Sequence, residues 1–384
     1  MKKFGWLLSL FLLTSFGGGT NVASNGVGSG GTGSYTSGPV SGLGSIIVNG
    51  VRYDVSGAAV QDDEDTAGFD QSRVQLGMLV EVQGSSITAG SSGQTDTATA
   101  TSVKVASDFI GQVTAVTTGS GSTLTGITLF GRNIAIDSKT VYTAPIQVND
   151  YVIVYGLVSA TGYTATRIET LPSRPAVMKL SGVVRNLSVS PTTFTLGTQT
   201  IDYGAAAPLP LRVRNGALVR VRVAPTQLFG MWVASRVRAP AAAVSDSKEA
   251  RFKGLIGELT DQKHFVVNGV TVDASSASGP GVTLTEGARI EVEGQMVNGV
   301  LIATSVESET QVEIDAREVE LHGLASAVSS SQMTVRGVVV SYDSSVLRNG
   351  PVTDLRTCVE VRGTSFNNSN QLVATEISIE SCFH

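Results

Sequence analysis

Apolar and polar residues alternate along most of this chain in runs of four to seven positions, with Val, Ile and Thr prominent among the apolar-facing sites. That is the period of a strand with one buried face and one wet face, and β-branched residues pack well on such a surface. Asn-Gly pairs fall between these runs at Asn49-Gly50, Asn215-Gly216, Asn268-Gly269, Asn298-Gly299 and Asn349-Gly350. Both residues of the pair accept positive φ, as a two-residue type I′ turn requires, so the pattern predicts hairpins of short strands.

The alternation is also repetitive. Val48-Asn49-Gly50-Val51-Arg52-Tyr53-Asp54 and Val267-Asn268-Gly269-Val270-Thr271-Val272-Asp273 match almost letter for letter, with weaker copies ending at Asp137, Asp202 and Asp343. Each copy is followed by a second signature, of which Gly77-Met78-Leu79-Val80-Glu81-Val82-Gln83-Gly84 and Gly287-Ala288-Arg289-Ile290-Glu291-Val292-Glu293-Gly294 are the clearest. A third, such as Ala100-Thr101-Ser102-Val103 or Ala374-Thr375-Glu376-Ile377, closes the unit. Three signatures in one order, five times, at a period of about 70 residues, predict five repeated domains. Each reads as five or six short antiparallel strands. A unit of about 60 residues avoids exposed edges most simply by closing into a small barrel, and at that size it buries only about 60% of its unfolded surface, so contact between units is expected to add stability. The expected units span residues 41–108, 109–172, 178–239, 252–309 and 320–384.

The N-terminus carries an address. Lys2 and Lys3 precede an apolar run from Phe4 to Phe16, the size of a signal-peptide core and short of the roughly 20 residues that span a bilayer. Residues 1–17 therefore read as a signal peptide, and the mature chain is expected to have no transmembrane span. Leu13-Thr14-Ser15 before Phe16-Gly17-Gly18 resembles the end of a lipoprotein signal, but Phe stands where the lipidated Cys would be, so thioether lipidation is blocked. Cleavage after Gly17 and retention as a weak anchor are both open. Residues 18–40, nearly all Gly, Ser, Thr and Asn, read as a flexible tether. The expected location is the periplasm or cell envelope.

Composition narrows the function classes. The 384 residues include 43 Gly, three His and two Cys, with a net charge of −5 and a pI near 5.3. The charge does not favour polyanions for the chain as a whole. Three His and two Cys leave no Cys/His zinc cluster and little for imidazole acid/base chemistry.

The repeats resemble a bacterial tandem family of unknown function, numbered five thousand six hundred and sixty-six. The resemblance covers roughly residues 41–382 and rests on the G-x-x-V-E-V-x-G and A-T-x-I/V signatures together with the strand ending in Asp. It implies small β-barrel units in an exported, often lipoprotein-associated envelope protein, and it brings no catalytic residues. Phe16 departs from the lipoprotein form, and Ala224-Pro225 stand in the third unit where other units have Gly.

Candidate chemistry is sparse. The recurring Asp54, Asp137, Asp202, Asp273 and Asp343 have no second carboxylate at a fixed offset, and an Asp at a strand end bonds the backbone of the following turn. Asp62-Asp63-Glu64-Asp65, with Asp70, lacks the spacing of a calcium loop and reads as a solvated acidic loop. His264, His322 and His384 have no nucleophile motif near them and read as ordinary surface or strand residues. Cys358 and Cys382 open and end a hairpin and are expected to form a disulfide, closing a loop of about 25 residues worth roughly 3 kcal/mol. No metal site and no cofactor is expected.

The third unit is the exception. Between residues 180 and 239 seven Arg face the single acid Asp202, whereas residues 41–107 carry three basic and eight acidic residues. Strand periodicity places Arg212, Arg214, Arg220, Arg222, Arg236 and Arg238 on one side of three strands, with Phe229 and Trp232 nearby. Two readings follow. The arginines pair with acidic neighbouring units, or they form an anion-binding face for an envelope phosphate polymer, an acidic glycan or nucleic acid. The expected function is a non-enzymatic structural or adhesive envelope component, with anion capture by the third unit as the alternative. An envelope polymer, another protein or a second copy of the chain remain open as partners.

Overall fold

The computed structural model describes residues 33–384 except 64–65, 67, 92–94, 143–144, 159–161, 212, 239–245, 268, 280–282, 309–317 and 382–384. The expected signal peptide and most of the tether lie outside the described residues. The fourth unit shows the common plan. Its strands are Ser247–Leu259, His264–Val267, Val270–Asp273, Arg289–Val297 and Val300–Ser308. The first pairs antiparallel with the second and, along its other edge, with the fourth. The second and third, and the fourth and fifth, form hairpins. The third runs parallel to the fifth, and that pair closes the barrel.

The same circuit closes in the units that open at Ser34, Phe109, Met178 and Val319, so the chain is an all-β tandem array of small closed barrels. This is the connectivity of oligonucleotide/oligosaccharide-binding barrels. One expectation needs correction: the units are not wholly antiparallel. Strands three and five enter the sheet from the same end because strand four intervenes, and a parallel closing pair is the geometric consequence.

Two repeated residues explain how each unit turns. Asp54, Asp137, Asp202, Asp273 and Asp343 each accept, through Oδ1, a hydrogen bond from the backbone N–H two residues on, at 2.9–3.0 Å. They are turn caps, as read from the sequence. The glycine that ends the second signature sits at a bulge where strand five approaches closely. A Cβ on Gly84, Gly156, Gly294 or Gly363 would lie 2.1–2.6 Å from a carbonyl oxygen of that strand. The register slips at each of these glycines. In the third unit the slip comes between Arg222 and Val223, and Ala224 follows.

The unit boundaries also move. Ser34–Leu43 is the first strand of the first barrel, so the expected tether ends by residue 33. Ser34–Pro39 pairs antiparallel with Leu79–Gly84 in its own unit, and Ser34–Ser37 pairs in parallel with Glu249–Phe252 of the fourth. Small residues suit this squeezed position: a Cβ on Gly38 would meet the Asn49 side chain at 2.3 Å. The fourth unit likewise starts at Ser247 instead of 252.

Barrels share cores in pairs. Units one and five bury a joint cluster that includes Tyr53, Val82, Leu321 and Val361, while units two and three bury another around Phe109, Val154, Leu180 and Phe194. The fourth core is filled by its own residues plus Tyr35 of the first unit, whose ring lies 5.2 Å from Phe252. Shared burial of this kind supplies the stabilisation that a lone unit of this size lacks.

Candidate anion-binding face

In Leu218–Val223, Val219, Val221 and Val223 point into the third barrel, and the intervening Arg220 and Arg222 point out. Trp232–Arg238 buries Ala234 and Val237 and turns Arg236 and Arg238 to the same outer side. The register sets Arg220 opposite Arg238 and Arg222 opposite Arg236. The third strand of this face is Met178–Val189, which places Lys179 opposite Arg222 and Ser181 opposite Arg220.

Four of the six expected arginines therefore share a face, and a lysine joins them. Arg214 does not: it lies exposed in a turn, and Arg212 falls outside the described residues. Lys179 was missed because it sits beside the start of the unit, where charge counting from residue 180 excludes it. Strand alternation carried its signal.

Like charges opposed across strands repel unless counter-charges sit among them. Here the counter-charges come from inside the chain. Lys179 Nζ donates to both carboxylate oxygens of Asp63 at 2.8 Å and to Ser107 Oγ at 3.1 Å, with the lysine only 2% exposed. Arg220 Nε donates to Asp108 Oδ1 at 2.8 Å, and Ser181 Oγ donates to the same oxygen at 3.0 Å. Tyr163 OH donates to Asp108 Oδ2 at 2.9 Å, and Arg238 donates to the Asp63 carbonyl at 2.7 Å.

Burial alone would lower the Arg220 pKa, but Asp108 and Asp63 outweigh it and raise the value further above its ordinary range. Burial and the Asp108 charge push the Tyr163 phenol up. Asp63 is held by its own N–H on the Val105 carbonyl, and Asp108 by its N–H on the Val154 carbonyl, so both acids are fixed by barrel edges.

One expectation changes. Asp63 is not part of a solvated loop; it is 5% exposed and neutralises the third unit. Lys179, Arg220 and Arg238 of this face are engaged by Asp63 of the first unit and Asp108 of the joining segment, while Arg222 and Arg236 stay half-buried. The aromatics offer no stacking platform beside it. Trp232 packs edge-on against Phe130 at 5.2 Å and donates to Gln199 Oε1, while Phe229 stands out alone in a turn.

A second charged junction joins units one and five. His322, half-buried in Val319–Ser326, contacts Glu380 Oε2 through Nδ1 at 2.9 Å and Glu320 through Nε2. Arg52 of the first unit reaches both His322 and Glu320. Burial would lower the imidazole pKa, and the bonds to Glu320 and Glu380 more than offset it, so the value is raised. Burial would raise Glu320, but His322 and Arg52 prevail and its value is lowered. His322 is thus not an ordinary strand residue.

Glu320, His322 and Glu360 offer ligand atoms within 4.8 Å of one another, yet Arg52 and Arg362 already occupy their carboxylates. The cluster is an ion-pair network. His264 is exposed and bonded to Asp261, and His384 lies outside the described residues. Cys358 is disulfide-bonded; the chain's other cysteine, Cys382, lies outside the described residues. Among the described residues no helix is long and apolar enough to cross a membrane.

A family model for a domain of unknown function (DUF5666) matches residues 37–92, 110–169, 253–307 and 322–378, more than half of the chain. The arginine-bearing third unit is not among the matched segments. None of the curated proteins matches. Among solved structures, "drosophila Unr CSD456" is similar over 53% of this chain and 98% of that one, at 12% identity and a TM-score of 0.14, and nothing is inferred from it.

Proposed function

This chain belongs to the family of domain of unknown function 5666, and from that premise we propose that it is a non-enzymatic, exported scaffold. Its role is structural or adhesive, in the periplasm or at the cell envelope. The observation that carries this reading is the fate of the charged residues. Lys179 and Arg220, the most conspicuous cations of the third barrel, are spent on Asp63 and Asp108 to lock barrels together. The recurring aspartates cap turns.

Export is supported by the Lys2-Lys3 start with its short apolar run, and by the disulfide at Cys358, a bond that persists in oxidising compartments. The test is a fusion of residues 1–40 to a phosphatase that is active only outside the cytosol, together with fractionation of the full chain. Active phosphatase and an oxidised chain in the envelope or periplasmic fraction are expected. A reduced chain confined to the cytosol overturns the reading.

A further inference from the structure

A cavity of about 600 Å³ opens where the second and fifth barrels meet, away from the arginine junction. The second unit contributes Thr118, Thr123 and Leu124 from the connection between its first two strands, and Tyr142 from its fourth-strand approach. The fifth contributes Phe366 and the loop Asn368–Gln371. The two units are fastened beside it: Phe366 N–H donates to the Ser138 carbonyl at 3.3 Å, and Lys139 Nζ donates to the Thr364 carbonyl. Thr123 Oγ1 reaches across to Asn368 Oδ1 at 3.5 Å.

We propose that this cavity binds a neutral, hydroxyl-rich ligand, a short segment of an uncharged oligosaccharide. Its lining chemistry selects that class. Among the described residues around it the one ionisable group with a formal charge is Arg167, and that guanidinium is already committed to Glu169 at 2.6 Å and the Leu76 carbonyl at 3.1 Å. Nothing is left over to attract phosphate or sulfate. What remains is hydroxyls, carboxamides, two aromatic rings and an aliphatic wall that includes Val116, Leu124, Val141, Ile146, Val338 and Val339, a surface for the C–H faces of sugar rings. An amide offers donors and an acceptor on one plane, a match for neighbouring sugar hydroxyls, and an aromatic face packs against the C–H face of a sugar ring. The volume lies within the range of about 300–1,000 Å³ common to small-molecule sites and accommodates roughly two or three sugar rings.

The loop is built in advance. Asn367 Oδ1 accepts from the N–H groups of Ser369 and Gln371 at 3.0 Å, Asn367 Nδ2 donates to Gln371 Oε1 at 2.9 Å, and Asn370 N–H donates to the Asn367 carbonyl at 2.8 Å. The equivalent hairpin of the fourth unit needs only Asn298 and Gly299 to turn, both at positive φ. The fifth unit thus spends extra residues and side-chain bonds on a loop that a bare turn would replace.

This inference does not depend on the scaffold reading, because it concerns a different face. The test is calorimetric titration of the mature chain with cello-, malto- and chito-oligosaccharides, with a heparin fragment and oligo-dT as charged probes. Binding of at least one neutral sugar is expected, unchanged by added salt. Tyr142→Ala should weaken it by about tenfold or more. Because Tyr142 also packs against the core of its unit, the exposed Asn368→Ala serves as the second variant, expected to weaken binding with an unchanged melting temperature. Three results overturn the proposal: no binding by any neutral probe, binding that survives both substitutions, or salt-sensitive binding of heparin or oligo-dT that Asn368→Ala removes.

Discussion

Two junctions hold barrels of this chain together with charge, and they are built differently. Between units one and three, Lys179 and Asp63 are sealed from water and the cluster holds no histidine. Between units one and five, His322 sits half-buried among Glu320, Glu380 and Arg52. The first junction can be broken only by removing a partner. The second contains the side chain whose charge changes near neutral pH, so solvent conditions alone can weaken it. Burial separates a permanent joint from an adjustable one.

The largest effect should come from leaving a buried charge alone. Lys179→Met strands the Asp63 carboxylate, and breaking a buried pair in this way costs about 3–5 kcal/mol. The double variant Lys179→Met with Asp63→Leu should recover most of that loss, because two apolar side chains need no desolvation. Denaturant unfolding of the mature chain reads both. If the double variant is as unstable as the single, the pair is not what joins these barrels.

At the second junction, Glu320→Gln removes the carboxylate that Arg52 and His322 share, for an expected loss of about 2 kcal/mol, the scale of a hydrogen bond to a charged group. A smaller, reversible change follows from pH. His322 has a raised value in the fold, so its contribution is fully present below the ordinary imidazole range near ~6.5 and is lost as pH rises through the folded value. Glu320 has a lowered value, so its contribution is present above the ordinary carboxylate range and is lost as pH falls through the folded value. The junction is therefore tightest on the mildly acidic side of neutral and loosens on the alkaline side. Hydrogen exchange in Val51–Asp54 and Val319–Ser326 should quicken there beyond the intrinsic pH trend, and His322→Gln should abolish the difference. Persistence of the same pH trend in His322→Gln would show that another group carries it.

What the chain reveals on inspection follows from how far apart the interacting groups are. Strand period, the Asp caps and the hairpins at Asn49-Gly50 and Asn298-Gly299 are set within two to four residues and were legible, whereas Asn215-Gly216 and Asn349-Gly350 fall in connections that join no hairpin. Turns at Phe130-Gly131 and Arg336-Gly337 use the same positive φ pair as Asn49-Gly50, although neither begins with Asn. Lys179 and Asp63 lie 116 positions apart and Arg52 and His322 lie 270 apart, and no local pattern links them. The reading of the arginines as partners of acidic units was available from charge asymmetry alone; which acid each would meet was not. Ser34–Pro39 misled for another reason. Gly, Ser and Thr mark a tether when nothing surrounds them, and equally mark a strand pressed between two barrels, where only small side chains fit.

The smallest effect tests whether burial, and not ion pairing as such, distinguishes the junctions. Arg362 lies beside the His322 network and bonds Glu360 Oε1 at 2.6 Å, but its side chain is 39% exposed. Water already stabilises both ions there, and holding two long side chains in one geometry costs entropy, so Arg362→Ala should lower stability by no more than about 1 kcal/mol. Screening should erase even that difference near ~1 M salt, where the Debye length falls to about 3 Å, while the Lys179→Met deficit persists because ions cannot enter the sealed pair. Comparing the two variants at low and high salt isolates the variable. Equal losses for Arg362→Ala and Lys179→Met, or equal sensitivity to salt, would mean that exposure does not govern these contacts and that the division into a permanent and an adjustable joint is wrong.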